Sequence, residues 1–334
     1  METQIVGQPG ADAGAGEEPR RGFIAPRRCT LPNGMEIAYQ SRAEVDFFYH
    51  DVFEKEVYLR HGVTVKDGDC VFDVGANIGF FTMFVHRKCT PSAVYSFEPA
   101  PPLFRILGDN ASRHGQRARL FNFGLSDSAK TAEFTFYPNS SGMSSFYGDK
   151  EEEKEALKAI MLNQLRGGMA EMEQVLKHAD DLLEERFRSQ TYACQLRTLS
   201  DVISEQNVSR IDLLKIDVQK SELDVLAGIR EDDWPKIGQI VLEVHDTDGR
   251  LAEVSGLLRR HGFDLTVEQD DMYEGSTLYN LFAVRRPALL ALDDASGLTP
   301  AGPHSFEQIN DRARRQESAL SRQRQLMKKR RNDQ

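Results

Sequence analysis

The sequence predicts an α/β protein in which a doubly wound, mostly parallel sheet carries an inserted helical hairpin. Three observations predict it. Short apolar runs alternate with helically periodic segments from Asp69 onward, a small-residue turn follows the first run at positions 75–79, and successive runs end in acidic or polar residues. The 334 residues, 40% of them hydrophobic, suffice for one large core with extensions.

Taken in order, residues 1–22 are rich in Gly, Ala, Glu and Pro without a hydrophobic period and are expected to form a disordered leader. Residues 23–68 read as a cap. Two short strands flank the Asn33-Gly34 turn, and Val45, Phe48, Val52 and Val57 recur at helical spacing. The core domain spans 69–286. Its first strand, 70–74, leads into a helix over 78–87; the second, 93–97, ends at Glu98 and precedes a helix over 99–114. The third covers 118–123 and is terminated by Gly124-Leu125-Ser126-Asp127, with a hairpin strand at 132–137 after it. Between about 149 and 190 the chain is highly charged, with Leu and Met at helical intervals, and reads as a helical hairpin broken at Gly167-Gly168. A strand at 192–197, a short helix capped near Ser200, and a buried strand ending in Asp217 follow. A helix over 221–229, a strand over 240–245, a helix over 250–261 and two terminal strands complete the core, and residues 287–334 form a linker and basic tail.

Composition narrows the function. A net charge of −10 opposes general nucleic-acid binding, which needs a basic surface. No apolar run approaches the roughly 20 residues that span a bilayer, and the N-terminus lacks a signal-peptide core, so a cytoplasmic protein without a membrane partner is expected. The four cysteines lack metal-ligand spacing.

In an open parallel sheet, ligands bind beyond the carboxyl ends of the strands. Gly75, Ala76, Asn77 and Gly79 form a turn that lets backbone approach a ligand, or one that only joins strand to helix. Asn77 breaks the G-x-G-x-x-G pattern, and Asp73 just before the turn suits a positively charged ligand rather than a pyrophosphate. Glu98 stands where an acid can hold both hydroxyls of a ribose, and Ser126 with Asp127 where a polar pair can meet an adenine amine.

Four segments together resemble the FkbM family of methyltransferases: Val71-Phe72-Asp73-Val74-Gly75-Ala76-Asn77-Ile78-Gly79, Phe97-Glu98-Pro99, Asn122-Phe123-Gly124-Leu125-Ser126-Asp127, and Ile211-Asp212-Leu213-Leu214-Lys215-Ile216-Asp217-Val218. The resemblance covers about 57–285. It implies a class I, Rossmann-like methyltransferase fold, S-adenosylmethionine as donor, and an O-methyl product on a secondary-metabolite or glycan-like acceptor, small or carrier-bound. The family's Asp-Val-Glu-Gly is here Asp217-Val218-Gln219-Lys220, so no role of that Glu carries over.

Methyl transfer requires an oriented acceptor and, for a hydroxyl, a base. Asp217 and His245 are the candidates, with Lys215 placed to orient Asp217 or the cofactor; His245 also reads as a histidine satisfying its own turn, and Lys215 as a snorkelling side chain. Glu243 raises the same question, since side chains alternate along a strand. Asp217, Glu243, His245 and Asp246 have residue types that permit a divalent ion, but the spacing defines none and no metal is expected. The helical insertion and the serine-rich 140–147 read either as an acceptor lid or, for the helices, as a homodimerisation arm. The tail reads as solvated, as a docking segment for a biosynthetic complex, or as a nucleic-acid contact, with solvation the default. N-methylation, a scaffold that binds cofactor without turnover, and a nicotinamide oxidoreductase are the competing functions, the last disfavoured by the turn.

Overall fold

The computed structural model describes residues 4–6, 27–114, 118–166 and 172–286. In chain order its strands are β1 (Gln4–Val6), β2 (Arg27–Thr30), β3 (Glu36–Tyr39), β4 (Cys70–Val74), β5 (Ala93–Phe97), β6 (Ala118–Phe121), β7 (Gly124–Leu125), β8 (Lys130–Phe136), β9 (Gln190–Arg197), β10 (Leu213–Ile216), β11 (Gln239–His245), β12 (Phe263–Glu268) and β13 (Leu278–Arg285). Nine α-helices accompany them among the described residues: α1 (Arg42–Tyr49), α2 (Phe80–Lys88), α3 (Pro101–Arg113), α4 (Lys150–Arg166), α5 (Met172–Lys177), α6 (Ala179–Arg186), α7 (Leu199–Glu205), α8 (Glu222–Ala227) and α9 (Arg250–Arg260).

The main sheet runs β1-β6-β5-β4-β10-β11-β13-β12, with β13 antiparallel to both neighbours and the other pairings parallel. Parallel strands are covered on both faces, which is why they appear in the sequence as nearly continuous apolar runs. Adjacent residues alternate between the two cores: Val71, Val94, Leu213 and Val241 pack with the α2 and α3 residues Phe81 and Leu107. Phe72, Tyr95, Leu214 and Leu242 pack with Val202, Val225 and Val254 of α7, α8 and α9. Rings at Phe72 and Tyr95, and at Phe97 and Phe121, lie 4.6 and 4.9 Å apart on that second face. From β4 the chain proceeds outward to β5 and β6, then returns to β10 on β4's other side. The crevice beyond β4 and β10 is therefore the switch point, where this architecture places ligands.

Several expectations are revised. Gln4–Val6, assigned to the leader, is a strand paired parallel to β6; the rest of 1–22 lies outside the described residues. The third core strand stops at Phe121, because the Asn122 side chain turns back to donate to the carbonyls of Glu98 and Pro99. Gly124–Leu125 then enters a second sheet, β7-β9-β8, in which β8 and β9 pair antiparallel over seven residues and carry the insertion between them. Among its described residues the insertion holds three helices, α4, α5 and α6, and Gly167-Gly168 lies outside those residues. The cap of α7 is Thr198, whose hydroxyl accepts from Asp201 N at 3.0 Å, while the Ser200 hydroxyl accepts from Arg230 N. The linker and tail, 287–334, also lie outside the described residues.

At Gly75 the turn after β4 lies against the segment that follows β10. The Gly75 φ is +79°, and a Cβ there would stand 1.9 Å from the Asp217 carbonyl oxygen. Gly34, at φ +84°, has open space where a Cβ would point. Gly75→Ala is expected to lower unfolding free energy by about 3 kcal/mol or more, combining backbone strain with a steric clash. Gly34→Ala should lower it by only about 1 kcal/mol. Urea unfolding of the two variants checks the contrast.

Candidate active site

The turn after β4 is closed upon itself. The amides of Gly75 and Ala76 donate to the Phe97 carbonyl (3.1 and 2.9 Å) and Gly79 N donates to Ala76 O (2.8 Å). Asn77 N donates to Glu98 Oε2 (2.9 Å) and Ile78 N to Asn77 Oδ1 (2.8 Å). With all five amides occupied, the turn offers no cradle for a phosphate, in contrast to a dinucleotide-binding loop. Gly75 lies against the Asp217 backbone and Gly79 holds φ +96° at the N-cap of α2, so each position favours glycine for local reasons.

Asp73 is fully buried. Its Oδ2 accepts from the Thr82 hydroxyl at 2.7 Å, and its Oδ1 lies 3.1 Å from Lys215 Nζ. Lys215 is not a snorkelling lysine: its ammonium donates to the Gly75 carbonyl at 2.8 Å and lies 3.8 Å from Asp217. Burial works against that charge, but Asp73 and Asp217 more than offset it and hold the pKa above its ordinary value. Asp73 therefore serves Lys215 and Thr82, and presents no open surface to a ligand.

Beyond Lys215 the crevice floor is a chain of carboxylates joined by one amide. Asp217 accepts from the Tyr58 hydroxyl (2.9 Å) and from Gln219 Nε2 (3.0 Å), and the same Gln219 nitrogen donates to Glu243 at 3.0 Å. Burial, then the Asp217 charge, pushes the Glu243 carboxyl up to about 8. His245, two residues along β11, places Nδ1 3.7 Å from Glu222. Its largest influence is burial, which disfavours the cation, but Glu222, Glu243 and Glu153 together raise its pKa. The Asp246 carboxylate is turned away to accept from Leu251 N at 3.0 Å.

Glu98 closes the other side. Both its oxygens accept backbone N–H groups, from Asn77 and Ala100, yet burial dominates and pushes its pKa up to about 7. Ser126 and Asp127 are not the end of the third core strand. They follow β7, where Asp127 accepts from Ser126, Ser128 and Lys130, the Lys130 bond chief among the causes that lower its pKa to about 2. The structure joins Asp73, Lys215, Asp217 and Glu243 into one network and ties Glu98 to the turn. Sequence reasoning did not single out Tyr58, which no periodicity marks and which 159 positions separate from Asp217, and it met Gln219 only as a departure from the family's glutamate.

This sheet order, with acids at the ends of β4, β5 and β10 around an amide-saturated turn, is a doubly wound, Rossmann-like fold of the class I methyltransferase type. Residues 73–265 match the methyltransferase FkbM domain, and the chain belongs to that family. It is 44% identical over 260 residues to the 31-O-demethyl-FK506 methyltransferase FkbM of Streptomyces tacrolimicus, covering 77% of this chain and 96% of that one. It is 40% identical over 262 residues to the AMB antimetabolite synthetase AmbE of Pseudomonas aeruginosa, covering 76% of this chain but 12% of the synthetase. It is 31% identical over 237 residues to the methyltransferase sdnD of Sordaria araneosa, covering 68% of this chain and 85% of that one. Among the described residues no helix is long and apolar enough to cross a membrane.

Two predictions follow from the buried charges. Lys215→Met should cost about 3–5 kcal/mol, because it leaves Asp73 buried without its cation, and adding Asp73→Asn should recover much of that loss. Chemical denaturation of the single and double variants measures the coupling. For Glu98, the folded-state pKa of about 7 exceeds the unfolded value of roughly 4.3, so the folded protein holds a proton that the unfolded chain releases in between. Its contribution is complete below the lower value and is lost as pH rises to the upper one. Glu98→Gln should remove that part of the slope in a pH series of unfolding midpoints.

Proposed function

We propose that this chain is an S-adenosylmethionine-dependent O-methyltransferase acting on a hydroxyl of a secondary-metabolite or glycan-like acceptor. The observation that carries the proposal is the Asp217–Gln219–Glu243 floor beside an amide-saturated turn. A turn without free amides and a crevice lined by carboxylates suit a ligand that brings positive charge and hydroxyl donors. S-adenosylmethionine, when bound, supplies a methyl group on a sulfonium, an electrophile that needs only an oriented nucleophile.

The chain's own residues do the rest. Glu98 would hold the ribose hydroxyls and Ser126 the adenine edge. Lys215 fixes the Gly75 carbonyl and Asp217, and so the distance between donor turn and acceptor floor. Gln219 keeps Asp217 and Glu243 apart while binding both. Glu243, with its pKa near the working range, receives the acceptor hydroxyl's proton, and efficient general bases titrate there. The relative named for 31-O-demethyl-FK506 supports an oxygen acceptor.

Calorimetric titration with S-adenosylmethionine and S-adenosylhomocysteine is expected to show binding that Glu98→Ala weakens and NADH does not reproduce. Absence of binding at about 1 mM would overturn the donor assignment. With 31-O-demethyl-FK506 as the first acceptor to try, the transfer rate should rise with pH and level off above about 8. Glu243→Gln should lower it by about 100-fold or more and flatten the profile.

A further inference from the structure

The loop after β10 departs from the family's Asp-Val-Glu-Gly at its last two positions, and the second departure has a structural counterpart in the insertion. Lys220 adopts φ +75°, a region that glycine enters freely and a residue with a Cβ does not. It is held there from three sides. Its N–H donates to Glu222 Oε1 (2.8 Å), its carbonyl accepts from Arg250 Nη1 (2.8 Å), and its ammonium pairs with Glu152 (2.8 Å) and Glu153 (2.9 Å). Lys220 and Glu153 are 7% and 4% exposed, so this contact is one in which removing either partner strands a charge.

Glu152 and Glu153 begin α4, whose 17 residues reach about 25 Å. At its far end Asn163 Nδ2 donates to the carbonyls of Met272 (3.1 Å) and Glu274 (2.7 Å). That turn leads into β13, where Leu278 pairs with His245 at the carboxyl end of β11 and the Thr277 carbonyl accepts from Asp246 N at 2.7 Å, so it stands at the rim of the crevice. The helix thus runs from one rim of the crevice to the other. Its apolar side is already used: Met161 and Leu157 pack with Tyr137, Leu183 and Phe187 in a small core of the insertion itself. The large apolar side chains that α4 and α6 leave exposed, Leu162 and Leu182, are single residues rather than a stripe for a second copy.

We infer that Lys220 is a positioning residue, latching α4 to the loop that presents Gln219, and that the inserted helices roof the acceptor crevice of their own chain. The word acceptor rests on the proposed methyl transfer; the latch does not. The test is hydrogen–deuterium exchange of the full chain with Lys220→Gly, Lys220→Arg and Glu153→Gln, beside S-adenosylhomocysteine calorimetry and light scattering. Lys220→Gly relieves the backbone while removing the ammonium. Because backbone relief offsets only part of the cost of stranding Glu153, the global unfolding midpoint should fall modestly, while exchange in residues 150–166 speeds by about tenfold or more and β4, β10 and β11 stay protected. Lys220→Arg should restore protection, Glu153→Gln should reproduce the loss, and S-adenosylhomocysteine affinity should stay within about threefold of the parent. Unchanged exchange in Lys220→Gly would overturn the latch. Protection of 150–166 that disappears on a hundredfold dilution, as a dimer separates, would overturn the roof in favour of an arm between copies. Failure of S-adenosylhomocysteine to bind the parent would strike the methyltransferase reading alone.

Discussion

The ammonium of Lys215 is the contact on which the rest of the site depends. It sits almost without solvent between Asp73 at the end of β4, the Gly75 carbonyl in the turn, and Asp217 just past β10. An ion in that position requires its partners, since the desolvation penalty is large and only close opposite charge and hydrogen bonds offset it. The same requirement fixes geometry. Asp73 reaches on through Thr82 to Ser96 in β5, with Thr82 Oγ1 2.8 Å from Ser96 Oγ. One cation therefore registers three neighbouring strands and the first turn of α2 at the crevice. Gly75 belongs to this arrangement, because only a residue without Cβ lets the turn lie against the Asp217 carbonyl.

The architecture was readable where a physical pattern repeats locally. Parallel strands buried on both faces give apolar runs such as 70–74, 93–97 and 239–245, and the polar residue ending each run marks the ligand side. Patterns fail where the determinant is remote. Gln4–Val6 is too short to show a period, and its strand exists only because β6 offers an edge. Asn122 ends the third core strand by bonding to the carbonyls of Glu98 and Pro99, 24 and 23 residues earlier in sequence, so that Ser126 and Asp127 come to follow a strand of the second sheet. The acids of the site were legible by type, but not their assignments. Which carboxylate meets Lys215 and which is left to titrate depends on distances among β4, β10 and β11.

That division of labour among carboxylates decides the electrostatics. Lys215 serves Asp73 first and Asp217 second, leaving Glu243 with an amide partner and, among the described residues, no salt bridge. Burial and the neighbouring Asp217 then raise Glu243, while Glu222 claims His245. Residues 243 and 245 share one face of β11 because side chains alternate, yet their surroundings drive them to different tasks.

Gln219 makes this arrangement self-sufficient. A glutamate there, as in the family's usual sequence, would bring a third carboxylate against Asp217 and Glu243, three acceptors with no donor among them. Like charges at that spacing cannot all ionise without a cation to share. The amide supplies a donor nitrogen to both neighbours and adds no charge. Lys220 extends the same logic by one residue: where glycine would leave the left-handed position unconstrained, the lysine side chain is anchored by Glu152 and Glu153. The two departures from the usual sequence are adjacent and act on opposite sides of the loop's role. One removes a charge from the crevice floor, and the other joins the loop that bears it to the helices above.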